Sequence, residues 1–383
     1  MNTTIQYIDD QLSFEKALMK LELSEKLYID LEFDKNHFRY GFNLCLMQVF
    51  DGETCYLIDP LGNLKIELIF PILENSDIEK VCFAFGEDIR LLHHLGCRPK
   101  NVLDLAVVRI LLNKPTLSLS NTLVEELGLE AQSSQQKSNW FTRPLTADQI
   151  QYAAEDVIDL PELRDVLMEE LEKMGRVEWL EQEQEHFESE DWTIGAEPEI
   201  VPLKDRKQLT MREWIRYSLL MEYRDYLSKS LSRPSYKVID KNLFIDIAKD
   251  PKKVQNWESI KRVHPKIRNT KVKNKLIELL EEAEREIEEN KIKEGASSKP
   301  RMSEEEIIRS GQLRKEVSYA KDNIFTPLKE RMKKDYGEHF TNYLLSNRRV
   351  VGIVTGKIQL LDYQKVLLNQ YSEGLDTSKS KYF

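Results

Sequence analysis

The first chemistry in this chain is a pair of carboxylates two residues apart. In Leu27-Tyr28-Ile29-Asp30-Leu31-Glu32-Phe33 the apolar side chains alternate, so Asp30 and Glu32 share the face opposite Leu27, Ile29, Leu31 and Phe33. Two carboxylates in so apolar a strand repel each other and lose solvation unless a cation compensates. The alternative is a solvent-exposed strand face, and with acids at 66 of 383 positions such pairs also arise by chance. Asp88 falls in one helical stripe with Leu91, Leu92 and Leu95. It is either a carboxylate in want of a partner or the N-cap of a helix opened by Gly86-Glu87-Asp88. Tyr152 and Asp156, four apart, share a face beside the stripe Ile150, Ala153, Ala154, Val157 and Leu160, where an ordinary surface pair is the plain alternative. Asp30, Glu32, Asp88 and Asp156 together form a set of hard oxygen ligands, suited to Mg²⁺ or Mn²⁺ and not to zinc. Two such ions, about 3.5–4 Å apart, clamp the attacking and leaving oxygens of a phosphodiester, and Tyr152 is placed to orient the nucleophile.

The elements that must carry these groups are legible. Strands are expected at Leu27–Phe33, Cys45–Phe50 and Cys55–Asp59, the last two joined by the turn signal Asp51-Gly52, as an antiparallel meander. A helix near 64–74, a short strand at Lys80–Phe85, a helix over 87–95 and further helices to about 174 follow, with no strand after Phe85. The aperiodic stretch Asp191–Lys207, with Gly195, Pro198 and Pro202, reads as a linker, and Gly295–Pro300 as a second. Between them the pattern predicts helices at 209–229, 241–249, 254–263 and 270–290, and beyond them at 303–321, 324–348 and 358–371. The expected organisation is an α/β domain over 1–190, a linker at 191–207, a helical domain at 208–292, a linker at 293–303 and a second small all-α domain at 304–383.

Composition narrows the class. Apolar residues make up 41% and charged residues 32%, so the chain can build cores, and no run approaches the roughly 18 apolar residues of a membrane span. The opening Met1–Gln6 lacks the basic-then-apolar signature of a secretory signal, and a cytoplasmic protein with no membrane partner is expected. Cys45, Cys55, Cys82 and Cys97 include no C-x-x-C pair and read as buried free thiols. The net charge of −10 argues against a protein that coats nucleic acid. Charge is nonetheless uneven: Glu178, Glu181, Glu183, Glu185, Glu188, Glu190 and Asp191 form an acidic run. Lys261, Arg262, Lys266, Arg268, Lys271, Lys273 and Lys275 form a basic one with no acid between. The basic run points to polyanion contact, with a solvated helix face as the alternative.

The motifs around these groups resemble the tyrosine branch of the DEDD superfamily of 3′→5′ exonucleases, the ribonuclease D family in particular. The first motif is Asp30-Leu31-Glu32-Phe33, followed by Cys45-Leu46-Met47-Gln48; the second is Phe85-Gly86-Glu87-Asp88-Ile89, followed by Asn101-Val102-Leu103-Asp104. The third, and most specific, is Asn139-Trp140-Phe141-Thr142-Arg143-Pro144-Leu145 with Gln149 and Tyr152-Ala153-Ala154-Glu155-Asp156-Val157. Tyrosine four before the last aspartate marks the branch; the histidine branch would carry His where Gln151 stands. The match is strong over residues 20–170. Met211–Asp225, Val238–Asp240 and Leu243–Ala248 resemble a helicase-and-ribonuclease-D C-terminal (HRDC) domain, and Tyr343–Arg349 onward a more divergent second copy. Two departures stand out: Phe83 where the family usually has histidine, and Ser133 where it usually has lysine.

The resemblance implies an RNase H-like α/β exonuclease domain followed by two HRDC-type helical domains. It implies that Asp30, Glu32 and Asp156 ligate a first divalent ion, that Asp30 is shared with a second, and that Asp88 holds the second through water. Tyr152 would orient the attacking water, Glu32 would also meet the terminal 3′ hydroxyl, and Asp104 would brace a helix behind the site. The expected activity is metal-dependent 3′→5′ exoribonuclease trimming of the 3′ ends of structured RNA, such as tRNA precursors, with release of nucleoside 5′-monophosphates. Lys261, Arg262, Lys266, Arg268, Lys271 and Lys273 are the candidate nucleic-acid contacts. Two other readings stay open: an exonuclease acting on DNA, and a catalytically silent RNA-binding protein.

Overall fold

Alternation of apolar and polar side chains becomes a six-stranded mixed sheet. Its strands are β1 (Thr4–Ile8), β2 (Lys26–Lys35), β3 (Phe42–Phe50), β4 (Thr54–Ile58), β5 (Glu79–Cys82) and β6 (Val102–Asp104), in the order β1-β4-β3-β2-β5-β6. The computed structural model describes residues 3–131, 135–193, 199–299, 303–375 and 382, so Ser133 and parts of both expected linkers lie outside the described residues. β3 and β4 pair antiparallel, with Gln48 opposite Leu57, as the meander requires. β1 joins β4, β5 joins β2 and β6 joins β5, all parallel. β1 and β6 are the strands the sequence pattern missed. β1 is a five-residue edge strand whose side chains are largely exposed, and β6 has three residues, too few to display a period. The strand expected at Lys80–Phe85 stops at Cys82, because a turn begins there.

The chain divides into two compact units. One gathers Met1–Glu32, Leu44–Thr193 and Ser303–Phe383; the other gathers Phe33–Asn43 and Ile194–Met302. In the first unit the C-terminal helices share the hydrophobic core of the sheet domain. Trp179, on the helix Val177–Ser189, stacks on Phe340 and Tyr363 at 5.4 and 5.0 Å between ring centroids. The buried Glu183 carboxylate of the same helix accepts from Tyr343 Oη (2.8 Å), Tyr363 Oη and Gln364 Nε2 (2.9 Å). Part of the acidic run is thus a structural staple. The expected helix 324–348 is broken at Gly337, whose φ of +79° separates Thr326–Tyr336 from Glu338–Leu344.

In the second unit the helices Met211–Ser230, Lys241–Lys249 and Thr270–Glu289 enclose Tyr217, Phe244 and Trp257. The helix expected at 254–263 is a 3₁₀ segment, Pro251–Ser259. Residues 296–298 of the expected second linker are pinned: Met211 N–H donates to Ala296 O, and Ser298 Oγ donates to Leu209 O at 2.7 Å. No helix among the described residues is long and apolar enough to cross a membrane.

One network fixes the loop that launches the helix Ala147–Ile158. Arg143 donates to both Asp59 oxygens, to Cys45 O (2.7 Å), to Trp140 O (2.7 Å) and to Thr142 O (2.9 Å). Asp59, at the end of β4, is buried and also receives Tyr7 Oη from β1 and Leu61 N–H. The guanidinium therefore ties that loop to β3 and the end of β4, and Asp59 carries the tie on to Tyr7 of β1. Thr146 then caps the helix through a capping box with Gln149. Arg143→Lys keeps the charge but offers three donors in place of five. It is expected to lower stability by about 1–3 kcal/mol, measured as a reduced urea midpoint at unchanged slope.

Candidate active site

Strand alternation, the parallel β2–β5 pairing and one helix bring the carboxylates together. Leu27, Ile29 and Leu31 are buried on one face of β2, and Tyr28, Asp30 and Glu32 lie on the other. The second face is covered by the helix Ala147–Ile158, whose fully buried Ala153 and Ala154 allow it to pack closely. That packing sets Asp156 against the two β2 acids. Asp30, Glu32 and Asp156 each present a carboxylate oxygen, and the three oxygens lie within 4.8 Å of one another. Glu32 is 7% exposed, whereas Asp30 and Asp156 keep an opening to solvent. Asp88 arrives from the helix Gly86–Leu95, which follows β5. It is not the N-cap, a place taken by Phe85, and it stands outside the triplet of oxygens. Its carboxylate is buried and close enough for its charge to act on both Asp30 and Glu32.

The electrostatics are those of a buried cluster of acids that repel one another. Burial holds the Asp30 carboxyl well above the usual range, and the charges of Asp156, Asp88 and Glu32 add to it. Glu32 is raised in the same way, by burial and then by Asp156 and Asp88. Burial pushes Asp88 and Asp156 up to about 7, the latter held down somewhat by the hydroxyl that Tyr152 donates to it. Tyr152 itself is raised by burial and by the three neighbouring acids, so its hydroxyl keeps its proton. Hard, buried, mutually repelling oxygens suit small divalent cations that prefer carboxylate and water. The four cysteines are all buried, as expected, and offer no competing soft ligand set.

Asp104 braces the site from behind, as the sequence suggested. Its carboxylate accepts from Ala84 N–H (2.7 Å) and Phe85 N–H (2.9 Å), and caps its own helix through Ala106 N–H (2.9 Å). This holds the turn between β5 and Asp88, in which Ala84 adopts a left-handed φ of +56°. Arg143 and Trp140 are the supports that sequence reasoning left without a role, although both lay within the third motif. Trp140 is buried and packs 6.3 Å from the Tyr152 ring.

The basic run lies in the second unit. Lys261, Arg262, Lys266 and Lys271 are exposed, and Arg268 and Lys273 half-buried. Lys271 and Lys273 sit in the first turn of Thr270–Glu289, which has no acid there. Arg262 pairs with Asp246 at 2.9 Å and Asp240 at 3.7 Å, acids brought in from elsewhere in the chain.

Comparison with known proteins shows what the chain resembles. Residues 5–172 match the family model described as 3′-5′ exonuclease. Ribonuclease D of Shewanella sp. strain ANA-3 is 28% identical over 277 residues, covering 69% of this chain and 71% of the relative. Ribonuclease D of Escherichia coli K12 is 34% identical over 154 residues, 40% of each chain. The crystal structure of E. coli RNase D superposes with a TM-score of 0.67 at 22% identity, over 97% of this chain and 99% of that one. A protein from Bifidobacterium adolescentis gives 0.70 at 17% identity, over 97% and 98%. The shared fold thus takes in the α/β sheet and the helical regions that follow it. With these matches falling on a sheet that gathers its acids at one end, residues 5–172 form a 3′-5′ exonuclease domain, and the chain is similar to ribonuclease D over 69% of its length.

Proposed function

We propose that this protein removes nucleotides one at a time from the 3′ ends of structured RNA, tRNA precursors among them, by hydrolysis at a pair of divalent ions. The observation that carries the reading is the convergence of Asp30, Glu32 and Asp156 oxygens within 4.8 Å, with Asp88 beside them. When bound, Mg²⁺ or Mn²⁺ would supply an activated water and charge stabilisation for the leaving 3′ oxygen, with nucleoside 5′-monophosphates as products. Asp30, Glu32 and Asp156 would hold one ion, and Asp30 and Asp88 the other. Tyr152 keeps its proton and donates it toward Asp156, a geometry from which the hydroxyl can orient the attacking water. Glu32 would also meet the terminal 3′ hydroxyl. The relative from E. coli is described as an exoribonuclease involved in structured RNA processing, which favours the same substrate class here.

The helical regions at 208–292 and 304–383 are the parts we assign to gripping that RNA. Lys261, Lys266, Arg268, Lys271 and Lys273 would meet phosphates, with Arg262 contributing least because two acids already neutralise it. Counterion release would make binding fall with salt.

The test is a ladder assay on 5′-labelled RNA and DNA strands of one sequence, with Mg²⁺ and with chelator. RNA shortened only in the presence of the metal is expected; equal trimming of DNA would favour the DNA reading, and no ladder at all the silent binder. Asp30→Asn and Asp156→Asn are expected to lower turnover by on the order of 10³ or more while RNA affinity holds. Tyr152→Phe is expected to cost on the order of 10².

The same carboxylates set a pH dependence. The folded, metal-free protein keeps protons on Asp88 and Asp156 up to about 7, whereas the unfolded chain releases them near the ordinary aspartate value. Folded molecules therefore hold more protons in that window, and stability falls as pH rises through it. Mg²⁺ is expected to raise the melting temperature strongly at pH 8 and little at pH 5. Asp156→Asn should melt higher than the parent at pH 8 without metal and respond less to Mg²⁺.

A further inference from the structure

We infer that Phe83 is a substrate contact: an apolar platform against which the base of a nucleotide flanking the scissile phosphate stacks. The inference rests on the exonuclease reading and adds to it a residue outside the metal-ligand set. Tyr28 of β2 pairs with Val81 of β5 in parallel register, and two residues further along each chain stand Asp30 and Phe83. Paired positions share a face of the sheet, and Phe83 packs on the cluster that holds Tyr28, Val81 and Ala153, so it stands on the side that carries the acids. β5 has ended at Cys82, which leaves Phe83 at the rim of the sheet and not within it.

The ring is only partly buried. One side packs on the core cluster shared by Tyr28, Val81 and Ala153, against which Tyr152 also rests. The backbone behind it is fixed. Ala84 is held at a φ of +56°, a conformation costly for a residue with a Cβ, by the two N–H bonds that Ala84 and Phe85 give to Asp104. Gly86 N–H closes the turn on Ala84 O at 2.9 Å. A strained, over-determined turn here does two things: it aims Asp88 into the acid cluster and presents a flat phenyl face at the cluster's edge. A phenyl ring offers neither donor nor acceptor, so it grips by stacking on any base and discriminates little among them. That suits an exonuclease, which must process whatever base comes next.

The test compares the full-length protein with Phe83→Ala, Phe83→Leu and Phe83→Trp on a short 5′-labelled RNA. The RNA carries all its bases, or lacks either the terminal or the penultimate base. Wild type and Phe83→Trp are expected to behave alike. On intact RNA, Phe83→Ala should raise KM by on the order of tenfold, with kcat changing much less. Phe83→Leu, which keeps apolar bulk for folding, should show most of that loss. With one of the two bases removed the difference between wild type and Phe83→Ala should vanish, while the Mg²⁺-induced shift in melting temperature stays at the wild-type value. An equal KM for Phe83→Leu and wild type on intact RNA would overturn the assignment. So would a Phe83→Ala defect of the same size on both base-lacking RNAs. A wild-type protein inactive on every RNA would instead overturn the exonuclease reading beneath it.

Discussion

Four carboxylates that repel one another, held against an apolar sheet, set the terms for the rest of this structure. Asp30 and Glu32 are forced together by the period of a strand, and burial first, then the neighbouring acids, hold both well above the usual carboxylate range. Left to themselves such groups would turn outward or keep their protons. They stay because the elements carrying them are buried for other reasons: β2 lies inside the sheet, and the Ala153-Ala154 face seats the helix of Asp156 against it. Hydrophobic burial elsewhere thus opposes an electrostatic cost at the site, and a divalent cation is the ligand that removes that cost.

The supports show where this opposition is managed. Arg143 spends every guanidinium N–H on strands and on its own loop, so the helix bearing Tyr152 and Asp156 starts from a fixed point. Asp104 does the corresponding task for Asp88, through a turn that would relax if its two N–H groups lost their acceptor. Both are themselves buried or half-buried polar groups, yet each is satisfied by several partners, which is the condition under which such groups stabilise. Polar braces with several partners each surround a centre of mutually repelling carboxylates, and the contrast marks the candidate site.

What could be read from the sequence divides along the same line. Period-two and period-3.6 patterns reach directly into geometry, so β2, β3, β4 and the helices around Asp88 and Asp156 were legible, with their acids on the correct faces. Elements too short to show a period were not: β1, with most of its side chains in water, and the three residues of β6. Long-range polar pairing was equally silent. Nothing in the spacing of Glu183 distinguishes it from the solvated acids around it, yet its partners lie 160 or more residues away. Likewise Arg262 reads as a free cation in a basic run and is in fact paired with Asp240 and Asp246.

Glu183 also bears on what the C-terminal helices are. A buried carboxylate with three donors from 343–364 is costly to separate, because parting the surfaces would leave two tyrosines, an amide and a charge to be re-solvated together. Beside it Trp179 lies against Phe340 and Tyr363, and Arg176 against the same aromatic group, at 5.0 Å from the Trp179 ring. Asn113, at the end of the helix following β6, accepts from the N–H groups of His339 and Phe340. That helix begins at Asp104, the residue that braces the turn before Asp88. One covalent and hydrogen-bonded path therefore runs from the C-terminal helices to Asp88. The C-terminal segment is in this sense part of the scaffold that positions the acids, and whatever it contributes to gripping RNA it contributes from a surface already committed to the catalytic unit.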